Sequence, residues 1–346
     1  MKNSKIGYAV VGLGIGMAHA DAAYEYEKCE LVALCDINKE RLEKAAEKYK
    51  GVKCYESFDE LLLDTEVDII SICLPSGMHA DYSVKALEAG KHVLVEKPVD
   101  ITVDAAMRID ECARRTGLKA GVIHQNRNNA LMKPIKEAVD AGRLGKLVLG
   151  TFAVKWYREQ HYYEGWHGTW DMDGGGSLMN QAVHTVDLMQ WLMGEVESVS
   201  SKMGIYGHDI ETEDLTTSVV TFKNGACATF VSTTCAYPGI STEICLYGTG
   251  GSIEADADKL KLWKLTDSWD IDEEEAEMLE KYGSGNHGAE MCDPMLVCGH
   301  KSMIIDMVDA VIEDREPQIS IKEACKSVRI VNAVYESARS GKAVML

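Results

Sequence analysis

Over its first 123 residues the chain alternates short apolar runs with amphipathic stretches, and this alternation restricts the possible folds most strongly. Apolar runs stand at IGYAVVG (6–12), CELVALCD (29–36), VDIISICLP (67–75), KHVLVE (91–96) and LKAGVI (118–123). Between them lie MAHADAAYEYE (17–27), KERLEKAAEKY (39–49), HADYSVKALEAG (79–90) and residues 102–116, all with helical patterning. Strands that alternate with helices pair in parallel and are covered on both faces. The expected fold is therefore α/β, with a Rossmann-type doubly wound parallel sheet over residues 1–123. Ligands of such sheets bind beyond the carboxyl ends of the strands.

The first strand–helix turn reads GLGIGMAHA, with Gly12, Gly14 and Gly16. It is an irregular dinucleotide fingerprint, because the strict third glycine position, 17, is methionine. Its surroundings fit better: a strand precedes it, a helix follows, and Asp36 ends the next strand. A pyrophosphate would rest on the helix N-terminus, and Asp36 would accept hydrogen bonds from the adenosine ribose. The same residues also suit a plain tight turn followed by a surface aspartate, but having all parts in register favours a dinucleotide. Ile37 and Asn38 follow Asp36 with no arginine directly after, which favours NAD over NADP, while Lys39 and Arg41 keep NADP open.

From residue 124 the pattern changes to longer alternating runs, among them KLVLGTFAVKWY, LTTSVVTF, ACATFVSTT and STEICLYG. Asn224–Gly225 between two of them is a strong hairpin signal. Residues 124–346 are expected to form an α+β substrate-binding and oligomerisation domain with an open, largely antiparallel sheet. It closes with two helices near 299–313 and 321–339, which could pack back on the first domain. The hairpin TTSVVTFKNGACATFVSTT (216–234) carries apolar and small residues on both alternations, which suits a sheet face covered by another subunit.

Segment 155–194 concentrates aromatics, histidines and glycines. Aromatic faces with polar tips suit a carbohydrate, and they equally suit an aromatic satellite core. Arg158, Tyr162, Tyr163, Trp166, His167 and Trp170 are the candidates for substrate contact. A helix is expected from Ser177, with Asn180 and His184 on one face. A single helix histidine is more often structural than catalytic.

Net charge is −19, which disfavours nucleic acid as a partner. The acid is concentrated in DSWDIDEEEAEMLE (267–280), read as a solvated loop or helix face. Eleven cysteines, scattered singly and without a C-x-x-C pair, suit a reduced cytoplasmic protein. The N-terminal apolar run is too short to span a membrane and lacks a signal-peptide pattern. His161 and His167 lack helical metal spacing, so no metal is expected.

GLGIGMAHA, CLPSGMHADYSVKALEAGKHVLVEKPVDIT, GRLGKL, GGGSLMNQAVHTVDLMQWLMG and the closing GHKSMIIDMVDAVIEDREPQIS…VYESARSGKAVML together resemble the Gfo/Idh/MocA (glucose–fructose oxidoreductase / inositol dehydrogenase) family. The resemblance runs through nearly the whole chain. It implies that the lysine of EKP, Lys97, reaches both the nicotinamide and the reacting hydroxyl, and that Pro98 fixes the strand end, often through a cis bond. Where the family commonly has an aspartate four residues before a histidine, this chain has Asn180 and His184. His184 is then the expected base and Lys97 the stabiliser of developing negative charge, while Asn180 orients a neighbouring hydroxyl. Expected cofactor contacts are Gly12, Gly14, Ile15, Gly16, Asp36, Ile37, Pro75, His79, Glu96, Lys97, Pro98 and Arg127. Substrate contacts would include Lys97, Asn180 and His184.

The implied activity is NAD-dependent oxidation of a secondary hydroxyl of a sugar, glycoside (at C3 in one version) or cyclitol. Reduction of a keto- or anhydro-sugar, and a non-catalytic dinucleotide and sugar sensor, are the alternatives. A homodimer or homotetramer through the second sheet is the family habit. Asparagine lacks a carboxylate's pull on histidine, so Asn180→Asp is expected to move the acid limb of the rate profile upward.

Overall fold

Strand β1 (Ile6–Val11) is apolar on both faces and is flanked on each side by strands of the same kind. With β2 (Cys29–Cys35), β3 (Lys53–Tyr55), β4 (Ile69–Ile72), β5 (His92–Val95) and β6 (Ala120–Val122) it forms a six-stranded parallel sheet, ordered β3-β2-β1-β4-β5-β6. The order reverses between β1 and β4, which opens a crevice at the carboxyl ends of those strands. Helix Val103–Thr116 is bounded by caps at both ends. The Thr102 side chain accepts from Ala105 N–H at the start of helix Val103–Thr116, and Gly117 ends it in a left-handed conformation. Edge strand β3, three largely polar residues, was not anticipated from the sequence.

The structure, a computed structural model, describes residues 5–284 and 294–346. Residues 1–4, the start of the run read for a leader, and 285–293 lie outside the described residues. Among the described residues, 5–125 with 296–325 form one compact unit, and 126–284 with 294–295 and 326–346 form the other. The first unit thus reclaims most of helix Pro294–Ile312 and the start of helix Ile321–Ser340. The connection between these helices covers the outer edge of β6: Val122 N–H donates to Ile319 O (3.0 Å), and Gly121 bridges to Ser320.

The second unit is built on an eight-stranded sheet: β7 (Leu147–Lys155), β8 (Val196–Gly204), β9 (Leu215–Phe222), β10 (Cys227–Thr233), β11 (Ser241–Gly248), β12 (Gly251–Asp256), β13 (Lys259–Leu265) and β14 (Val344–Met345). Its order is β13-β12-β11-β7-β10-β9-β8-β14, and every pairing is antiparallel except β7 with β10. The β9–β10 hairpin turns at Asn224–Gly225, where Gly225 takes φ +85° and Asn224 Oδ1 accepts from Ala226 N–H. One face of the sheet packs on helix Val183–Met193. On the other, Val219, Cys227 and Thr229 are exposed.

The acidic stretch forms helix Ile271–Tyr282, capped by Asp270 and without a buried residue. Arg143 reaches it through two hydrogen bonds to Glu274, both 2.9 Å. Nine cysteines among the described residues are free. Cys73 and Cys245 are buried in their apolar runs, whereas Cys54 and Cys227 are exposed. No described helix is long and apolar enough to cross a membrane.

Candidate active site

In the first unit the three glycines of the turn do different things. Gly12 has φ +85°, and a Cβ there would collide with Cys73 O. Gly16 lets helix Gly16–Glu25 sit on the sheet, since a Cβ would stand 2.8 Å from Val10 Cγ1. Gly14 borders open space, with nothing within 4 Å of an added Cβ. An open cradle at a helix N-terminus fits a pyrophosphate. Ile15 borders it, partly exposed.

Asp36 ends β2 with its carboxylate turned onto that loop. Oδ2 accepts from Leu13 N–H (2.7 Å) and Oδ1 from Asn38 N–H (2.8 Å), while Arg41 Nη1 stands 3.8 Å away. The next side chain, Ile37, is 91% exposed and offers an apolar surface beside the carboxylate.

After β4, Pro75 leads into a short turn and then His79. The two ring nitrogens of His79 face Leu74 O (2.8 Å) and Pro98 O (2.7 Å), tying together the loops that follow β4 and β5. Lys97–Pro98 is cis. Glu96 is turned inward: Oε1 meets His19 Nε2 (2.8 Å) and His300 Nε2 (3.0 Å), and Oε2 accepts from Lys97 N–H (3.0 Å). The network continues from His19 Nδ1 to Ser71 Oγ (2.9 Å) and Tyr8 OH (2.6 Å from Ser71). The pair Glu96–Lys97 therefore divides its roles: the acid anchors the strand end inside, and the lysine side chain is half-buried at its rim.

Burial, helped by the neighbouring His300, pushes the His19 imidazole down from its ordinary value against the pull of Glu96. For Glu96 burial acts upward, but hydrogen bonds from His19 and His300 outweigh it and hold the carboxyl well below the usual range. Both folded values lie below the unfolded ones. The His19 contribution to stability is complete above its unfolded value near 6.5 and is lost as pH falls through the folded value. Glu96 adds a loss in the same direction at lower pH. We expect the Tm to drop as the buffer moves from pH 7 to 5. The drop should be smaller in His19→Gln, and equal drops in both proteins would refute this reading.

In the second unit the site is built around the glycine run. A Cβ on Gly175 would strike Tyr335 OH, and one on Gly176 would strike Glu213 O. The close approach lets the Glu213 carboxylate accept from Gly176 N–H (3.0 Å), Ser177 N–H (3.1 Å), Leu178 N–H (3.1 Å), Ser177 Oγ–H (2.6 Å) and Tyr335 OH (2.7 Å). Burial pushes this carboxyl up, and the donors from Ser177 and Tyr335 oppose it. Residues Ser177–Gln181 form a single wide π-turn, closed by Ala182 N–H to Ser177 O (3.0 Å), and an ordinary helix begins only at Val183. The one continuous helix expected from Ser177 is thus interrupted between Asn180 and His184.

Asn180 is the hub of a polar cluster. Its Nδ2 donates to Asp173 Oδ1 and lies 3.2 Å from His167 Nδ1. Its Oδ1 accepts from Gln181 Nε2 (3.0 Å) and Tyr162 OH (3.2 Å). Asp173 is itself buried and accepts from Gly168 N–H (2.8 Å). His167 stacks on Tyr162 with centroids 4.4 Å apart and contacts Trp166. Arg158 donates to Gln181 Oε1 (3.0 Å), and its guanidinium lies over the rings of Trp156 and Tyr162, 5.2 Å from each. His184 stands in the first turn of the following helix, 9% exposed.

The structure thus brings together Arg158, Tyr162, Trp166, His167 and Asn180. Tyr163 is buried, bonded to Thr234 Oγ1 (2.7 Å) and packed on His208. Trp170 donates to Glu211 O (3.1 Å) and lies under Arg339. Arg127 makes a buried two-point ion pair with Asp187 (2.7 and 2.6 Å) and lies over Trp191, contacts internal to its own unit. Asp173, Gln181 and Glu213 were not singled out from the sequence. Only Asp173 carried a signal, its place beside the glycine run in DMDGGG. Two described clusters could offer three metal ligands each, His19–Glu96–His300 and His208–Asp214–Cys235. In both, the potential ligand atoms already hydrogen-bond one another.

Residues 6–124 match the family profile described as oxidoreductase family, NAD-binding Rossmann fold, and residues 132–254 match the GFO/IDH/MocA C-terminal domain. Among solved structures, the WlbA dehydrogenase from Chromobacterium violaceum, in complex with NADH and UDP-GlcNAcA, is 31% identical with a TM-score of 0.89. That match covers 100% of this chain and 97% of the other. Myo-inositol 2-dehydrogenase of Thermotoga maritima is 27% identical over 75% of this chain and 77% of its own length. D-glucoside 3-dehydrogenase of Escherichia coli is 28% identical, with 58% of each chain aligned.

Proposed function

The chain belongs to the Gfo/Idh/MocA family of NAD(P)-dependent oxidoreductases acting on CH–OH groups, and from that premise we propose that it oxidises a secondary hydroxyl of a sugar, glycoside or cyclitol with NAD. The observation that carries the carbohydrate reading is the cluster around Asn180. It sets hydroxyl, amide, imidazole and carboxylate groups among the faces of Tyr162, His167 and Trp166, the mixture that sugar rings and their hydroxyls need. NAD supplies the hydride acceptor. Gly12, Gly14 and Gly16 would seat its pyrophosphate and Asp36 its adenosine ribose. His184 takes the hydroxyl proton, Lys97 steadies the negative charge left on the oxygen, and the Asn180 cluster orients the substrate.

The test is absorbance at 340 nm with NAD or NADP and a panel of D-glucose, methyl β-D-glucoside, myo-inositol and UDP-GlcNAcA, plus 1,5-anhydro-D-fructose with NADH. Turnover of a hydroxyl substrate with NAD supports the reading. Binding of NAD and sugar without any absorbance change would establish a sensor instead.

Arg158 favours a second, narrower substrate class. A guanidinium held between two rings is suited to a carboxylate, which would make the substrate a uronic acid sugar, as in the 31% identical WlbA dehydrogenase. Arg158→Met should then raise the KM for UDP-GlcNAcA about tenfold or more and leave the KM for neutral glycosides within about twofold. Equal changes for both would remove the carboxylate role.

NAD is preferred over NADP because the Asp36 carboxylate pairs with a 2′-hydroxyl and repels a 2′-phosphate. Asp36→Ala should weaken NAD more than NADP in binding isotherms; an unchanged ratio would sink the assignment. The exposed face of the second sheet suits a cytoplasmic homodimer or homotetramer, which light scattering in solution would test.

A further inference from the structure

The geometry points to Glu213 as the positioning residue for Asn180 and His184: a buried carboxylate that holds the π-turn between the glycine run and the helix in its wide form. This rests on the proposed roles of those two residues. A buried acid is costly unless fully bonded, and this one is bonded almost entirely to the turn it faces. Four of its five donor contacts come from Gly176, Ser177 and Leu178, and the fifth, Tyr335 OH, also accepts from Met179 N–H (3.3 Å). The Glu213 backbone joins in, its carbonyl accepting from Ser177 N–H (2.9 Å).

The glycines complete the arrangement, since side chains at 175 and 176 would occupy the places of Tyr335 OH and Glu213 O. A π-turn persists only where its surroundings over-determine it. If the carboxylate is lost, Gly176, Ser177 and Leu178 lose their common acceptor. The turn can then tighten into the register of helix Val183–Met193. Losing one residue of extra turn rotates Asn180 by about 100° about the helix axis relative to His184. That rotation would take Asn180 off the Asp173, His167 and Tyr162 partners that fix its amide.

Glu213→Gln keeps the shape and removes the charge. We expect kcat, with the panel sugar that wild type turns over fastest, to fall about 30- to 100-fold, with NAD affinity within about twofold. In a His184→Ala background the same substitution should cost less than about threefold, because its effect passes through the presentation of His184 and Asn180. A readout independent of turnover is the imidazole ¹⁵N signal of His184 in histidine-labelled protein, assigned by its loss in His184→Ala. It should shift in Glu213→Gln. Equal losses of kcat in the two backgrounds, or an unchanged kcat with an unmoved His184 signal, overturn the proposal. If Glu213→Gln does not fold, Ser177→Ala takes its place. It removes one donor, with an expected loss of about threefold to tenfold, and the same comparison across backgrounds decides. Should wild type turn over none of the panel, the proposed function fails, and the His184 signal still decides whether Glu213 positions it.

Discussion

Lys97→Met is expected to lower turnover by about 10²- to 10³-fold while NAD binds with unchanged affinity. Methionine keeps much of the stem and removes the ammonium. The backbone at this position is fixed from both sides, so little else should move: Lys97 N–H is held by the buried Glu96, and the carbonyl of Pro98 is held by His79. A group that stabilises charge only as the hydroxyl proton leaves acts on the chemical step, and its removal lowers kcat and kcat/KM together. Steady-state kinetics and an NAD binding isotherm on the same preparation measure both. A variant that keeps wild-type kcat and only raises KM would make Lys97 a binding residue.

His184→Ala is expected to cost about 10²- to 10⁴-fold in kcat/KM and to abolish the acid limb of its pH profile. A base must be neutral to take a proton, so oxidation by wild type should rise with pH through the ionisation of His184. The companion substitution Asn180→Asp now has a different expected outcome from the one the sequence suggested. Asp173 stands in hydrogen-bond contact with the Asn180 amide. Two carboxylates at that separation cannot both ionise readily, so the pair would tend to hold one proton between them. We therefore expect Asn180→Asp to leave the acid limb nearly in place and to add a carboxyl titration at raised pH. Asn180→Asp in an Asp173→Asn background should move the limb upward, as a lone carboxylate beside histidine would. If the limb moves equally in both backgrounds, Asp173 does not govern the charge at position 180. Should His184→Ala retain both rate and limb, the base is another residue, with Tyr162 and Lys97 next in line.

The parallel sheet was legible because each of its inner strands is buried on both faces and must be written in continuous apolar runs. β3 was not, since an edge strand of three residues carries too little pattern. The β9–β10 hairpin was legible from Asn224–Gly225, a local signal that the positive φ of Gly225 explains. The parallel pairing of β10 with β7 inside an otherwise antiparallel sheet joins strands separated by more than seventy residues, and nothing local encodes it. The candidate site divides in the same way. Gly12, Asp36, Lys97 and His184 stand in short motifs. Asp173 and Glu213 act through acceptor oxygens brought to the 176–180 segment by the fold, and a lone acid in a sequence does not say which amides it will meet. Tyr163 and Trp170 were picked out by residue type and neighbourhood, and the fold gives Tyr163 a buried bond to Thr234 and leaves Trp170 half-buried beneath Arg339.

The Asp36 carboxylate, gripping the glycine turn through Leu13 N–H, bears on any attempt to re-engineer the cofactor preference. The usual route to a phosphate-tolerant enzyme strips the acid at the end of the second strand. Here the same oxygen that would reject the phosphate also restrains the loop that would seat either cofactor. Truncation at this position should trade selectivity for a general loss of affinity. Asparagine is the better starting point, because its amide oxygen can still accept from Leu13 while the repelling charge is gone. Arg41, already 3.8 Å from that position, would then be free to meet the incoming phosphate.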